Sequence, residues 1–136
     1  MSGLTLRVIT PDRIAIDEQA DAVRLPGLDG SIGILPRHAH MVAALDAGEL
    51  IYRTGTKEET LFVAGGFAEV RDGTVRVVSQ AGELPTEIDE ERAKAAEQRA
   101  RERLSTLKQA EPVDVLRAQA SLRRALTRLL VKNRKS

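Results

Sequence analysis

Ile88-Asp89-Glu90-Glu91-Arg92-Ala93 decides how this chain is read, because the composition changes on either side of it. All ten glycines lie at or before Gly82, as do the three aromatics Tyr52, Phe62 and Phe67. From Glu83 to Ser136 there is no glycine, and the only prolines are Pro85 and Pro112. A turn-rich half therefore gives way to a half built for helices. Thr86 or Asp89 can act as N-cap, leaving backbone N–H groups of the first turn free to face an anion. Asp89 also suits the positive end of a helix, and Arg92, one turn in, adds a fixed cation.

Downstream, Ala93, Ala96, Ala100, Leu104 and Leu107 recur at spacings of three and four, which is one face of a helix. Glu90 to Lys94 and Glu97 to Arg101 are correctly oriented i,i+4 pairs on its outer side. Gln109-Ala110-Glu111-Pro112 ends that helix. Asp114 is the expected cap of a second helix, with Val115, Leu122, Leu126 and Leu129 on its apolar side and Ala118 and Ala125 beside them. The small faces suit two antiparallel helices in close contact. Pairing about a turn near Gln109 to Pro112 sets Arg92 near Arg128, and Arg99 near Arg123 or Arg124.

Upstream the period is two. Leu4 to Ile9, Ile14 with Ile16, and Ala22 to Leu25 read as short strands, the last stopped by Pro26-Gly27. Leu50 to Arg53 is a further strand. Leu61 to Ala64 and Phe67 to Val70 flank Gly65-Gly66. Arg71-Asp72-Gly73-Thr74 is a hairpin signal, and Val75 to Val78 its return strand. Many short strands with turn residues between them predict a β-sandwich or flattened barrel over 1–84, followed by a helical hairpin over 85–136: an α+β protein in two parts.

At 136 residues and 42% hydrophobic content, one or two small domains are expected. The chain has no cysteine, which removes disulfides, thiolate nucleophiles and most zinc sites. No apolar run approaches the ~20 residues of a membrane span, and no signal-peptide pattern opens the chain. Net charge is +1. Residues 1–82 nevertheless carry 8 Lys/Arg against 11 Asp/Glu, and residues 83–136 carry 13 against 9. After Asp114 there is no acid, while Arg117, Arg123, Arg124, Arg128, Lys132, Arg134 and Lys135 follow. A basic terminal helix points to an acidic partner. Nucleic acid is not the expected one, because no aromatic after Phe67 is available to stack on a base. His38 and His40 share one face of an extended segment, but without cysteine or a third histidine no metal centre is expected. No nucleophile–base pairing and no Gly-x-x-x-x-Gly-Lys loop is present, so no catalytic site is expected.

Gly30-Ser31-Ile32-Gly33-Ile34-Leu35-Pro36-Arg37-His38-Ala39-His40, followed by Leu45 and Gly48, resembles the epsilon subunit of bacterial F-type ATP synthases. The likeness continues through Gly65-Gly66-Phe67-Ala68-Glu69-Val70, Asp72-Gly73 and the stretch Ile88 to Ala93, almost end to end. One departure is His40, where many relatives carry proline. The resemblance implies a non-catalytic rotor subunit with no required cofactor. Its sandwich would sit on the central stalk against the gamma subunit and the c-ring, on the cytoplasmic face of the bacterial inner membrane, as a peripheral subunit. Its helices would regulate ATP hydrolysis, either folded on the sandwich or extended toward the alpha and beta subunits. In some members the folded form binds ATP as a regulatory ligand. The corresponding positions here are Glu83, Ile88, Asp89, Arg92, Ala93, Arg99, Arg124 and Arg128, each of the expected type. Candidate partner contacts are Gly33, Leu35, Pro36 and His38 in the motif, and Arg117, Arg123 and Lys132 on the terminal helix. A stand-alone nucleotide-sensing module stays open as the alternative, and co-purification with alpha, beta and gamma subunits separates the two.

Overall fold

The computed structural model describes residues 3–106 and 111–134. Leu107, the turn residues Gln109 and Ala110, and Lys135 lie outside them. The strands are β1 (Leu4–Ile9), β2 (Ile14–Ala20), β3 (Ala22–Gly27), β4 (Gly30–Ile34), β5 (Met41–Thr54), β6 (Lys57–Arg71), β7 (Thr74–Val78) and β8 (Gly82–Glu83). A 3-10 turn at Pro85–Glu87 leads to α1 (Glu90–Thr106) and α2 (Pro112–Lys132).

The strands form one hydrogen-bonded path, β2-β1-β7-β6-β5-β3-β4, with β8 added on β6. β1 and β7 run parallel, and the other pairs are antiparallel. The path becomes a sandwich because β5 and β6 serve both layers. Their register runs from Leu45↔Gly66 to Ala47↔Ala64, skipping Asp46 and Gly65. Gly65 (φ 76) and Gly66 (φ 93) occupy the left-handed region that glycine adopts without steric cost. A Cβ at Gly66 would run into the Val78 carbonyl. Leu4, Leu6, Val8, Val75 and Val77 meet Val23, Leu25, Leu50, Tyr52 and Leu61 in a single buried core. Each fully buried side chain of this kind contributes roughly 1.5–3 kcal/mol. Asp72 (φ 50) and Gly73 (φ 78) make the expected hairpin turn, whose two left-handed residues match strand twist.

Three strand boundaries differ from the sequence expectation. β3 continues through Pro26-Gly27, because β3–β5 pairing jumps from Arg24↔Ile51 to Gly27↔Leu45 and Pro26 falls in that gap. A missing N–H costs little where the ladder is already interrupted. β5 begins nine residues earlier than Leu50, at Met41, and β6 runs straight through Gly65-Gly66. There the glycines bend one long strand and do not divide two.

Asp89 is the cap of α1: its carboxylate accepts the Arg92 N–H at 3.1 Å, while Thr86 lies within the 3-10 turn. Lys94 meets Glu90 at 3.2 Å and Arg101 meets Glu97 at 2.9 Å, as the spacing predicts. α2 starts earlier than Asp114. Pro112 holds its first position after Glu111, with no side-chain cap, because the proline needs none for its absent N–H. The hairpin closes on alanines: Ala93, Ala100, Ala118 and Ala125 are buried. The leucines expected on the buried side of α2 are pushed to its flanks, and Leu126 is 40% exposed. Small residues let two helix backbones approach closely, and larger ones then have no room between them. The hairpin rests on the sheet mainly through α2, which packs on β5, β6 and the 3-10 turn, while α1 packs principally on α2. A second apolar cluster, Phe62, Ile88 and Val131, pins the end of α2 to β6.

Candidate functional site

β8, the 3-10 turn and the first turns of α1 converge with α2 around a cavity of about 340 Å³. Glu83, Ile88, Asp89, Arg92, Ala93, Arg99 and Arg128 line it, together with Glu87 and Ala96. Arg92, Ala96 and Arg99 are spaced four and three apart and so share one face of α1. Ile88 and Ala93 are each 4% exposed and give the cavity an apolar wall. Arg124 lies in the adjoining cleft between α1 and α2, about 660 Å³, which also holds Arg99 and Arg128. The antiparallel pairing expected from the sequence is therefore present: Arg92 shares a wall with Arg128, and Arg99 shares one with Arg124.

The carboxylates of the cavity are already engaged. Glu83 receives two hydrogen bonds from Arg128, at 2.9 and 3.0 Å. The Arg128 guanidinium also lies 4.5 Å from the centre of the Phe62 ring, a cation–π arrangement that fixes its plane. Glu87 accepts two bonds from Arg13, at 2.6 and 2.7 Å, and one from the Leu84 N–H at 2.9 Å. Those contacts, Arg13 first, hold the Glu87 carboxyl below the ordinary carboxylate range. Asp89 is occupied by the helix cap. Arg92 and Arg99 have no ion-pair partner among the described residues, and Arg124 bonds only the Ser121 hydroxyl, at 3.1 Å. None of them turns to Glu97 or Glu102, which are held by Arg101 and Gln98. Glu83 and Glu87 are paired with arginines and Asp89 is held by the backbone, while three guanidiniums have no carboxylate partner among the described residues, so the cavity and its neighbour offer guanidiniums beside an apolar wall. Bidentate guanidinium bonds suit phosphate oxygens.

Glu87, Phe62 and Arg13 were not singled out from the sequence. Arg13 meets Glu87 across 74 positions, and no local pattern carries such a pairing. Ala96 was read only as part of the apolar face it shares with Ala93 and Ala100, not as a site residue.

The candidate partner contacts separate into two groups. Gly33, on the edge strand β4, and Leu35 and Pro36 just after it are exposed. A tight turn there carries Arg37 at φ 68 and closes with His38 N–H donating to the Leu35 carbonyl at 3.2 Å. On α2, Arg123 instead binds Asp46, at 3.0 and 3.1 Å, and Lys132 donates to the Pro85 carbonyl at 3.1 Å. Arg117 lines the interhelical cleft. Two of the three terminal-helix candidates are thus turned inward, Arg123 toward the sandwich and Lys132 toward the 3-10 turn. His38 and His40 do not act together: His38 Nδ1 lies 2.7 Å from the Ala39 carbonyl, and His40 Nε2 lies 3.3 Å from Asp72.

Residues 3–85 match the family model described as ATP synthase, Delta/Epsilon chain, beta-sandwich domain. Residues 86–133 match the one described as ATP synthase, Delta/Epsilon chain, long alpha-helix domain. An ATP synthase epsilon chain of Nitratidesulfovibrio vulgaris is 44% identical over 130 residues, 96% of either chain. One of Halalkalibacterium halodurans is 42% identical over 134 residues, 98% of this chain and 100% of that one. A chain in the Euglena gracilis mitochondrial ATP synthase, solved as OSCP/F1/c-ring in rotational state 1, shares the fold with a TM-score of 0.78. It is 23% identical and covers 93% of this chain and 79% of that chain. A chain in the central stalk and c-ring structure of the Tetrahymena thermophila mitochondrial ATP synthase superposes with a TM-score of 0.62 at 11% identity, covering 97% and 98%. With the sandwich and hairpin models side by side over 3–133 and epsilon chains matching over nearly the whole length, this chain belongs to the ATP synthase epsilon-chain family.

Proposed function

We propose that this chain is a non-catalytic regulatory subunit of the central stalk, in which ATP holds the hairpin folded and thereby relieves inhibition of ATP hydrolysis. The sandwich, through the segment bearing Gly33, Leu35, Pro36 and His38, is the part assigned to gamma and the c-ring. The whole would sit peripherally at the cytoplasmic face of the bacterial inner membrane. No described helix is long and apolar enough to cross a membrane, so attachment runs through those partners.

One observation carries the ATP reading: around the entry of α1 the carboxylates are satisfied internally, while Arg92, Arg99 and Arg124 are not. Folding the hairpin brings these guanidiniums together, and like charges close to one another oppose that folding. A triphosphate removes the opposition and adds charge-assisted hydrogen bonds. Because the cavity takes residues from both helices and from β8, undocking the hairpin takes it apart. A ligand of that cavity therefore stabilises the folded form alone, by ~2.7 kcal/mol at one hundred times its dissociation constant. The released α2 would expose Arg123, Arg128, Lys132 and Arg134 to acidic surface on alpha and beta.

The test is hydrolysis by the assembled complex. A complex reconstituted with a chain ending at Leu84 should hydrolyse ATP faster than one with the full chain at low ATP. The difference should shrink as ATP rises. Equal rates at all ATP concentrations, with the subunit still bound, would refute the regulatory role.

A further inference from the structure

The cleft between α1 and α2 extends well past the cavity at the helix entry. Arg99 and Arg103 reach it from α1, and Arg117, Arg124 and Arg128 from α2. The first two are one turn apart; the other three are seven and four apart, so each set lies along one helix face. No carboxylate lines this cleft among the described residues. Of the five, only Arg128 has a carboxylate partner among the described residues, Glu83, and Glu83 stands outside the cleft. The floor is small and apolar: Ala100, Ala118 and Ala125 are 4%, 2% and 1% exposed. The α2 row from Arg117 to Arg128 is ~16 Å long at the helix rise of ~1.5 Å per residue. The helix-entry cavity includes Arg99 and Arg128 but neither Arg103 nor Arg117.

We propose that this cleft binds linear inorganic polyphosphate, a chain longer than a triphosphate, laid between the two rows of guanidiniums. Two helices in contact through alanines have axes ~8–10 Å apart. The groove over them is lined by arginines and alanines alone apart from Ser121, so charge is what it offers an occupant. An unbranched chain with a charge on every unit matches the repeating cations. Polyphosphate would compete with ATP, because both use Arg99 and Arg128. It would favour the folded hairpin for the same reason, but it needs no nucleoside.

The experiment is calorimetry on the full chain with three titrants: tripolyphosphate, a longer linear polyphosphate of defined length, and a poly-glutamate peptide of matching charge. Polyphosphate should bind about tenfold or more tighter than tripolyphosphate, the gain expected from additional charged hydrogen bonds. Its affinity should fall more steeply with salt, since more counterions are displaced. Replacing Arg103→Gln together with Arg117→Gln should abolish that advantage, with helix content checked by circular dichroism. Arg101→Gln, whose guanidinium pairs with Glu97 away from the cleft, should keep it. The salt dependence of the unsubstituted chain tests the idea even if the double variant loses helix. The proposal is overturned if polyphosphate binds no tighter than tripolyphosphate, or if the advantage survives in a folded double variant. Equal affinity for poly-glutamate also overturns it and assigns the cleft to an acidic protein segment. The ATP reading is scored separately, by Arg92, which does not line the cleft. ATP binding without a polyphosphate advantage sinks only this proposal, and the reverse sinks only the ATP reading.

Discussion

Arg128 ties the candidate site to the docking of the hairpin, because one guanidinium pairs with Glu83 and stacks on Phe62. Arg128→Ala should cost about 2 kcal/mol of hairpin docking, the scale of a hydrogen bond to a charged group. It leaves Glu83 partly buried and unpaired. Arg128→Lys keeps the charge but loses the fork and the flat face, so it should fall between. Amide exchange in α2 is the measurement; unaltered protection in Arg128→Ala would contradict the role. Glu87 sets an acid dependence at the same junction. Its folded pKa is depressed below the ordinary 4.5 by Arg13 and the Leu84 N–H. Its contribution is therefore complete above the ordinary value and is lost as pH falls through the depressed folded value. Glu87→Gln should lower stability at neutral pH and flatten the acid limb of a stability–pH curve; parallel curves would remove Glu87 from the account. Seven of the eight residues picked from the helix-entry stretch and its partners line one cavity, and Arg124 lines the next. The resemblance named all eight; helical spacing and antiparallel pairing by themselves reached only Arg92 with Arg128, and Arg99 with Arg123 or Arg124. Arg13 and Phe62 were not legible, since their places depend on how distant strands fold over.

At the level of elements, α2 and the residues just after it are fastened to the sandwich by three ion pairs: Arg128–Glu83 and Arg134–Glu49, which are forked, and Arg123–Asp46, which uses one guanidinium nitrogen for both carboxylate oxygens. They are unequal. The side chains of Arg123 and Asp46 are 57% and 37% exposed, and such a pair is worth ~0–1 kcal/mol. Glu49 is only 9% exposed and also accepts the Thr60 hydroxyl at 2.8 Å. Removing Arg134 leaves a desolvated carboxylate, which costs more than the pair contributes. Raising salt should loosen α2 partially, by screening the outer pair, and Arg134→Ala should loosen it more than Arg123→Ala. Distance between dyes on β5 and α2 reads this out; equal effects would show that burial of Glu49 is unimportant. Val131→Ala should add a packing loss of about 1–3 kcal/mol by uncovering Phe62. The basic run after Asp114 was read as facing a partner. In this structure Arg123, Arg128 and Arg134 contact carboxylates of the chain's own sandwich, and Lys132 contacts the 3-10 turn that follows it. Composition reveals that a helix is basic, but not which carboxylates it meets. Likewise the length of β6 was underestimated, because a glycine pair reads as a break whether it ends a strand or bends one.

Across the whole molecule, the seventeen-residue core of the sandwich is complete without either helix. A fragment ending at Leu84 should therefore fold alone, with a cooperative melt and strand-type circular dichroism. It should melt below the full chain, because Phe62, fully buried here under Ile88 and Val131, would face water at a cost of roughly 1.5–3 kcal/mol. An unfolded fragment would refute the two-part organisation. The helices make the opposite case: their buried faces are mostly alanine, so they depend on each other, on the sandwich, and on whatever neutralises their arginines. The proposed switch rests on that dependence: a ligand that neutralises the arginines would favour the folded form over an extended one. The most direct test is calorimetric titration of the full chain with ATP, run beside Arg92→Ala and Arg128→Ala. Saturable heat from the unsubstituted chain, weakened about tenfold or more by either substitution, is the predicted result. No heat at millimolar ATP, or equal binding by all three proteins, would contradict it.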